Sequence, residues 1–149
     1  MRDLAASQPR IAAQIPAQIP AMTARAIDKV RRLEGLASAL PQVPIRTDHV
    51  LHAGMYARTV FVPAGVMITG VEIKIPTLLI IDGEAIVYAD DKPMRLSGHH
   101  VLSCQAPRKQ AFVAETDLRL TMVFPTAATT IEEAERQFSD EAHLLLSRR

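Results

Sequence analysis

The chain has 149 residues, 48% of them apolar and 22% charged, with a formal net charge of +1. Those proportions suit one domain with a real hydrophobic core, and so small a net charge gives no global field to draw in nucleic acid or an anionic membrane. The lone cysteine, Cys104, excludes an internal disulfide and fits a reducing compartment; no histidine is spaced to activate it, so packing is expected of it rather than nucleophilic chemistry.

Residues 1–21 read as an extended or disordered arm. They hold a short tandem repeat, Ala13-Gln14-Ile15-Pro16 and Ala17-Gln18-Ile19-Pro20, whose prolines remove amide donors and keep their neighbours extended. Ile15 and Ile19, four apart, are candidate docking residues for an arm that lies across another subunit; a solvated leader is the competing reading. Residues 22–44 read as an amphipathic helix and linker. Thr23 can cap a helix reaching about Leu40, with Ile27, Val30, Leu33, Leu36 and Leu40 on one stripe, and Pro41 and Pro44 end it. Leu33 and Leu36 join the candidate interface residues. The basic pairs Arg31-Arg32 and Arg148-Arg149 fall where solvated helix ends would put them, so no nucleic-acid partner is expected.

Over residues 45–126 the period changes to two. Tyr56, Arg58, Val60 and Val62 alternate with Ala57, Thr59 and Phe61; Ile73 and Ile75 alternate with Glu72 and Lys74; Leu118, Leu120, Met122 and Phe124 alternate with Arg119 and Thr121. Alternation gives each strand one dry and one wet face. Turn signals at Pro63-Ala64-Gly65, Gly70, Asp82-Gly83, Asp90-Asp91-Lys92-Pro93, Gly98 and Pro107 cut the region into many short strands, the pattern of a sandwich or barrel. The longest apolar run, Thr77-Leu78-Leu79-Ile80-Ile81, has strand length, so no membrane span is expected and the chain reads as a soluble cytosolic protein. Residues 127–149 read as a C-terminal helical segment. Thr130 and Glu133 can form a capping box, Ile131, Ala134 and Phe138 supply a buried side, and Ser139-Asp140-Glu141 starts a last turn. Leu144, Leu145 and Leu146 then either dock a partner or pack on the chain's own barrel.

The segment His52-Ala53-Gly54-Met55-Tyr56-Ala57-Arg58, followed by Val62-Pro63-Ala64-Gly65 and Thr69-Gly70, resembles small cupin-like proteins encoded by phages and prophages. Ala106-Pro107-Arg108-Lys109-Gln110-Ala111-Phe112-Val113-Ala114 falls where the second cupin element would, and Phe124-Pro125-Thr126 with Glu132-Glu133-Ala134-Glu135 is similar to the group's ending. The resemblance covers roughly residues 47 to 140. It implies a mainly β fold, a cupin-type jelly-roll barrel with an N-terminal arm and helix and a C-terminal helix. By the same analogy barrels pair, a phage origin follows, and the protein would reside in the bacterial host cytoplasm or be incorporated in the virion.

Cupins carry a metal motif of the form G-x5-H-x-H-x3–4-E-x6-G. Counted from Gly65, its histidines fall on Val71 and Ile73, its glutamate near Pro76 or Thr77, and the histidine of the second motif on Phe112. Apolar side chains cannot hold a divalent cation, and catalytic sites of this kind need about three protein ligands, so neither metal nor cofactor nor metalloenzyme activity is expected. His49 and His52, like His99 and His100, point to opposite faces of a strand and do not chelate readily.

Tyr56, Arg58, Glu72, Lys74, Lys109 and Gln110 are the candidate ligand-binding residues of a barrel mouth. Arg58 could clamp a carboxylate or phosphate, or else form a surface pair with Glu72 or Asp117. Two functions follow. The first is a non-enzymatic, homo-oligomeric module acting through protein–protein contacts, a virion decoration or accessory structural protein associated with other phage structural proteins. The alternative is a metal-free cupin that binds a small anionic molecule in the barrel mouth.

Overall fold

The computed structural model describes residues 18–89 and 92–145. Eight strands form one continuous sheet that folds over on itself: β1 (Gln18–Ile19), β2 (Arg46–His52), β3 (Met55–Val62), β4 (Met67–Thr69), β5 (Thr77–Tyr88), β6 (Met94–Cys104), β7 (Ala111–Ala114) and β8 (Leu118–Pro125). Helix α1 (Ala24–Ala37) precedes the strands from β2 on, α2 (Ile131–Phe138) follows β8, and a separate 3₁₀ turn covers Ala142–Leu144.

The long β5–β6 hairpin organises the molecule. It pairs continuously from Thr77↔Cys104 to Val87↔Met94. The other edge of β5 serves two partners, with Leu78–Asp82 pairing β8 and Ala85–Tyr88 pairing β7. Between these stretches sits Gly83, at φ +127°, opposite Gly98, at φ +87°. Both conformations are open to glycine and strained for other residues, so the hairpin bends there and passes from one sheet to the other. The larger sheet runs β1-β6-β5-β8-β3-β2, and β4 joins the smaller one through β7. The mainly β jelly-roll class expected from the sequence is the class found.

Alternation works as read. Leu118, Leu120, Met122 and Phe124 all point into one hydrophobic core with Tyr56, Val62, Ile81 and Leu102. The β2–β3 hairpin turns on Ala53 and Gly54, both at positive φ (53° and 72°), which suits the two-residue turn between His52 and Met55.

Five expectations need correction. The turn signals at Asp82-Gly83 and Gly98 do not separate short strands: β5 and β6 run through them, because the two glycines pair with each other and bend the hairpin without ending it. Helix α1 is capped by Thr23, whose hydroxyl accepts from the Ala26 N–H at 3.1 Å, but it stops at Ala37 instead of Leu40; Leu36 and Leu40 are 73% and 63% exposed, so no packing holds a further turn. The alternating stretch from Glu72 to Ile75 is no full strand. It makes one bridge, Ile73↔Arg108, because the C-terminal segment takes its other backbone groups: Lys74 donates to the Phe138 carbonyl, and the Ser139 hydroxyl donates to the Glu72 carbonyl. The arm docks at its end on its own chain. Ile19, fully buried, lies in β1 parallel to β6, and its carbonyl accepts from the Gln105 N–H at 2.9 Å, so it is core and not an intersubunit anchor. Leu145 is also core, whereas Leu144 stays 40% exposed. Ile15 and Leu146 lie outside the described residues.

Candidate functional site

The six candidate ligand residues do not share one open cup. Tyr56 and Arg58 point inward from β3 and are covered by α2. Arg58 Nη1 lies 3.1 Å from Glu135 Oε2, both side chains nearly buried, with the guanidinium over the Phe138 ring. That pairing corrects the expected surface partners, Glu72 or Asp117; the reason is that α2 lays its buried face, Ala134, Glu135 and Phe138, against the inner side of β3. Tyr56 shares a 2.7 Å hydrogen bond with His49 Nδ1 across the β2–β3 pair. Burial, with the Arg58 charge as the lesser cause, holds the His49 imidazole below its ordinary range.

Glu72 and Lys74 tie neighbouring segments together at the surface, Glu72 to Arg31 of α1 and Lys74 to Asp140. Lys109 is fully buried and reaches α1: its ammonium lies 3.0 Å from Glu34 and donates to the Gly70 carbonyl at 2.8 Å. Of the six, Gln110 alone stands at an internal polar group that has no carboxylate among the described residues.

That group centres on Arg108, which the residue pattern did not single out. Arg108 is 1% exposed. Nε donates to Gln110 Oε1 (3.2 Å), Nη1 to the carbonyls of Gln105 (2.9 Å) and Ile75 (3.4 Å), and Nη2 to Thr77 Oγ1 (2.7 Å) and the Met122 thioether (3.9 Å). Every partner is neutral. Desolvation lowers the affinity of Arg108 for its proton, yet a guanidinium keeps its charge in a protein, so a cation is held in the barrel interior. Burial likewise pushes the nearby Cys104 thiol up, leaving it a packing residue. The missed signal was local: Arg108 and Gln110 are two apart, so an extended backbone turns both to one side and Lys109 to the other.

Of the positions counted as metal sites, Phe112 is buried, Val71 and Ile73 pack on the core, and Thr77 accepts from Arg108. Among the described residues no three His, Cys, Asp or Glu side chains are grouped as metal ligands. His49 faces inward and His52 outward, since their β3 partners are Arg58 and Met55. A cleft of about 490 Å³ opens at the bend, beside Pro63, Gly83 and Asp117, but its Arg119 is already paired with Asp82.

The outer face of the larger sheet exposes several apolar side chains. Val50 (57% exposed), Leu78 (46%), Val101 (43%) and Met55 (38%) stand on it. The register aligns Val50 with Ala57, Ala57 with Val123 and Val123 with Leu78, an uninterrupted apolar row across four strands.

No family model matches the chain, and no curated protein matches it. Some solved structures are similar to it over part of its length. A cupin superfamily protein from Desulfitobacterium hafniense is 19% identical over 61% of this chain and 87% of its own, at a TM-score of 0.47. A cupin 2 conserved barrel domain protein from Leptotrichia buccalis is 12% identical over 59% and 44%, at 0.48. Salicylate 1,2-dioxygenase from Pseudoaminobacter salicylatoxidans is 16% identical over 76% and 35%, at 0.47. No helix among the described residues is long and apolar enough to cross a membrane.

Proposed function

We propose that this protein is a non-enzymatic contact module that assembles with copies of itself through the outer face of its larger sheet. The observation that carries this reading is the apolar row Val50–Ala57–Val123–Leu78, with Val101 and Met55 beside it. A face of this kind loses free energy to water at about 25 cal/mol per Å² of apolar area, and a second copy is the partner always present at matching concentration. Charged pairs border the face on one side, Arg46–Asp48 on β2 and Arg119–Asp82 between β8 and β5, giving the apolar centre a polar edge there. The exposed Leu36 and Leu40 at the α1 end offer a second contact for a larger assembly. Encoded by a phage, as the sequence resemblance implies, such a module serves as a virion decoration or accessory structural protein.

Sedimentation velocity of the full chain tests the reading. Wild type is expected as a defined dimer or higher oligomer, with Leu78→Asp and Val123→Asp shifting it to monomer while the far-ultraviolet spectrum stays unchanged. A monomer at all accessible concentrations, or an oligomer indifferent to both changes, would reject the proposal. Co-sedimentation of wild type, but not Leu78→Asp, with phage particles tests the virion role.

A further inference from the structure

We infer that the barrel interior holds a binding site for a small monocarboxylate, formed by Arg108 and Gln110. Two independent observations point there. Arg108 is a buried cation whose polar partners are an amide oxygen, two carbonyls, a hydroxyl and a thioether, with no carboxylate in ion-pair reach among the described residues. Beside it, Gln110 Nε2 is the one buried side-chain nitrogen or oxygen among the described residues that has no hydrogen-bond partner, on a residue 6% exposed. A buried charge without a counter-charge is destabilising, and so is a buried donor left without an acceptor. One acceptor carrying negative charge relieves both.

The chemistry of the ligand follows from the balance of the site. Nε and Nη2 of a guanidinium form the planar edge that takes a carboxylate with two parallel hydrogen bonds. Here that edge meets only Gln110 Oε1, Thr77 Oγ1 and the Met122 sulfur. Oε1 belongs to a side chain that can turn and present Nε2 instead, and a methionine is the most adaptable of apolar neighbours. The local charge is a single positive one, since Lys109 is matched by Glu34. A monoanion is neutralised by it, whereas a dianion such as phosphate would leave buried negative charge. The site is separate from the outer sheet face and does not depend on assembly.

Calorimetric titration and thermal unfolding of the full chain with acetate, benzoate, neutral benzamide and inorganic phosphate test the inference. Acetate or benzoate is expected to bind saturably and raise the midpoint of unfolding, with benzamide and phosphate at least about tenfold weaker. Gln110→Glu supplies a carboxylate from the chain itself. It is expected to fold, to unfold at a higher temperature than wild type, and to lose the response to benzoate and acetate. Arg108→Gln, if it folds, should lose that response too. The inference is overturned if wild type binds neither carboxylate, if benzamide binds as well as benzoate, or if a folded Gln110→Glu responds like wild type. Because the first two comparisons use wild type alone, a variant that fails to fold leaves the decision intact.

Discussion

Arg58 and Glu135 show how much depends on a single pair. Their side chains are 10% and 2% exposed and meet at 3.1 Å under α2. Two such charges gain little net free energy from being together, because each lost its water, but either one left alone in the same place is severely destabilising. Glu135→Gln is therefore expected to lower stability by about 3–5 kcal/mol in denaturant unfolding, while Arg58→Met with Glu135→Leu recovers most of the loss. A double variant no better than the single one would mean that the pair does more than satisfy itself. His49 beside it titrates in a linked way. Its folded-state pKa lies below 6.5, from burial first and from Arg58 second, with Glu135 and Asp48 opposing. The unfolded chain therefore takes up a proton first as pH falls, and stability tied to neutral His49 is complete above about pH 6.5 and lost below it. The unfolding midpoint of wild type should drop from neutral pH to about pH 5 more steeply than that of His49→Gln; parallel profiles would remove His49 from the account.

At the scale of elements, the bend of β5 and β6 decides whether there is a jelly roll at all. A Cβ on Gly83 would lie 2.6 Å from the Asp117 carbonyl oxygen and 3.3 Å from Leu118, while a Cβ on Gly98 meets nothing within 4 Å. Both residues have positive φ, so both alanine variants carry backbone strain, but only Gly83→Ala adds a clash against backbone. We expect Gly83→Ala to cost several times the roughly 1–2 kcal/mol expected of Gly98→Ala, measured by urea unfolding; equal costs would contradict this account. Helix α2 works differently. Thr130 caps it, its hydroxyl accepting from the Glu133 N–H at 3.2 Å, and Glu133 reaches back to the Thr129 N–H at 3.1 Å, one residue earlier than in the expected box. The Thr130 cap was legible locally, since a cap needs only residues three apart; the shift of the Glu133 contact to Thr129 was not. Nor was the fate of Glu135. Nothing in the spacing of Glu132-Glu133-Ala134-Glu135 tells which carboxylate turns inward until β3 is known to lie beneath the helix.

For the whole molecule, the proposed assembly makes stability a function of concentration. If copies join through the outer sheet face, the thermal midpoint of wild type should rise as the protein is concentrated, because association favours the folded state by mass action, and Leu78→Asp should abolish that dependence. The exposed row responsible is also a matter of register. Val50, Ala57, Val123 and Leu78 come from four strands spread over more than seventy residues of chain, each apolar residue unremarkable alone.

What the sequence by itself determined was what repeats locally: a two-residue alternation that makes strands and a three-to-four-residue stripe behind Thr23 that makes α1. From these a mainly β sandwich or barrel followed, because hydrophobic periodicity states which side of an element is dry; the jelly roll itself was implied by the resemblance to cupin-like proteins. Only the tertiary structure decided what the dry side faces. It placed Ile19 on its own β6, turned Tyr56 and Arg58 from a mouth into the floor beneath α2, and left Arg108 beside Gln110 with no carboxylate partner among the described residues. Polar side chains announce themselves in a sequence, but whether one is paired, solvated or stranded depends on partners distant in the chain, and those are set by how the sheet folds over.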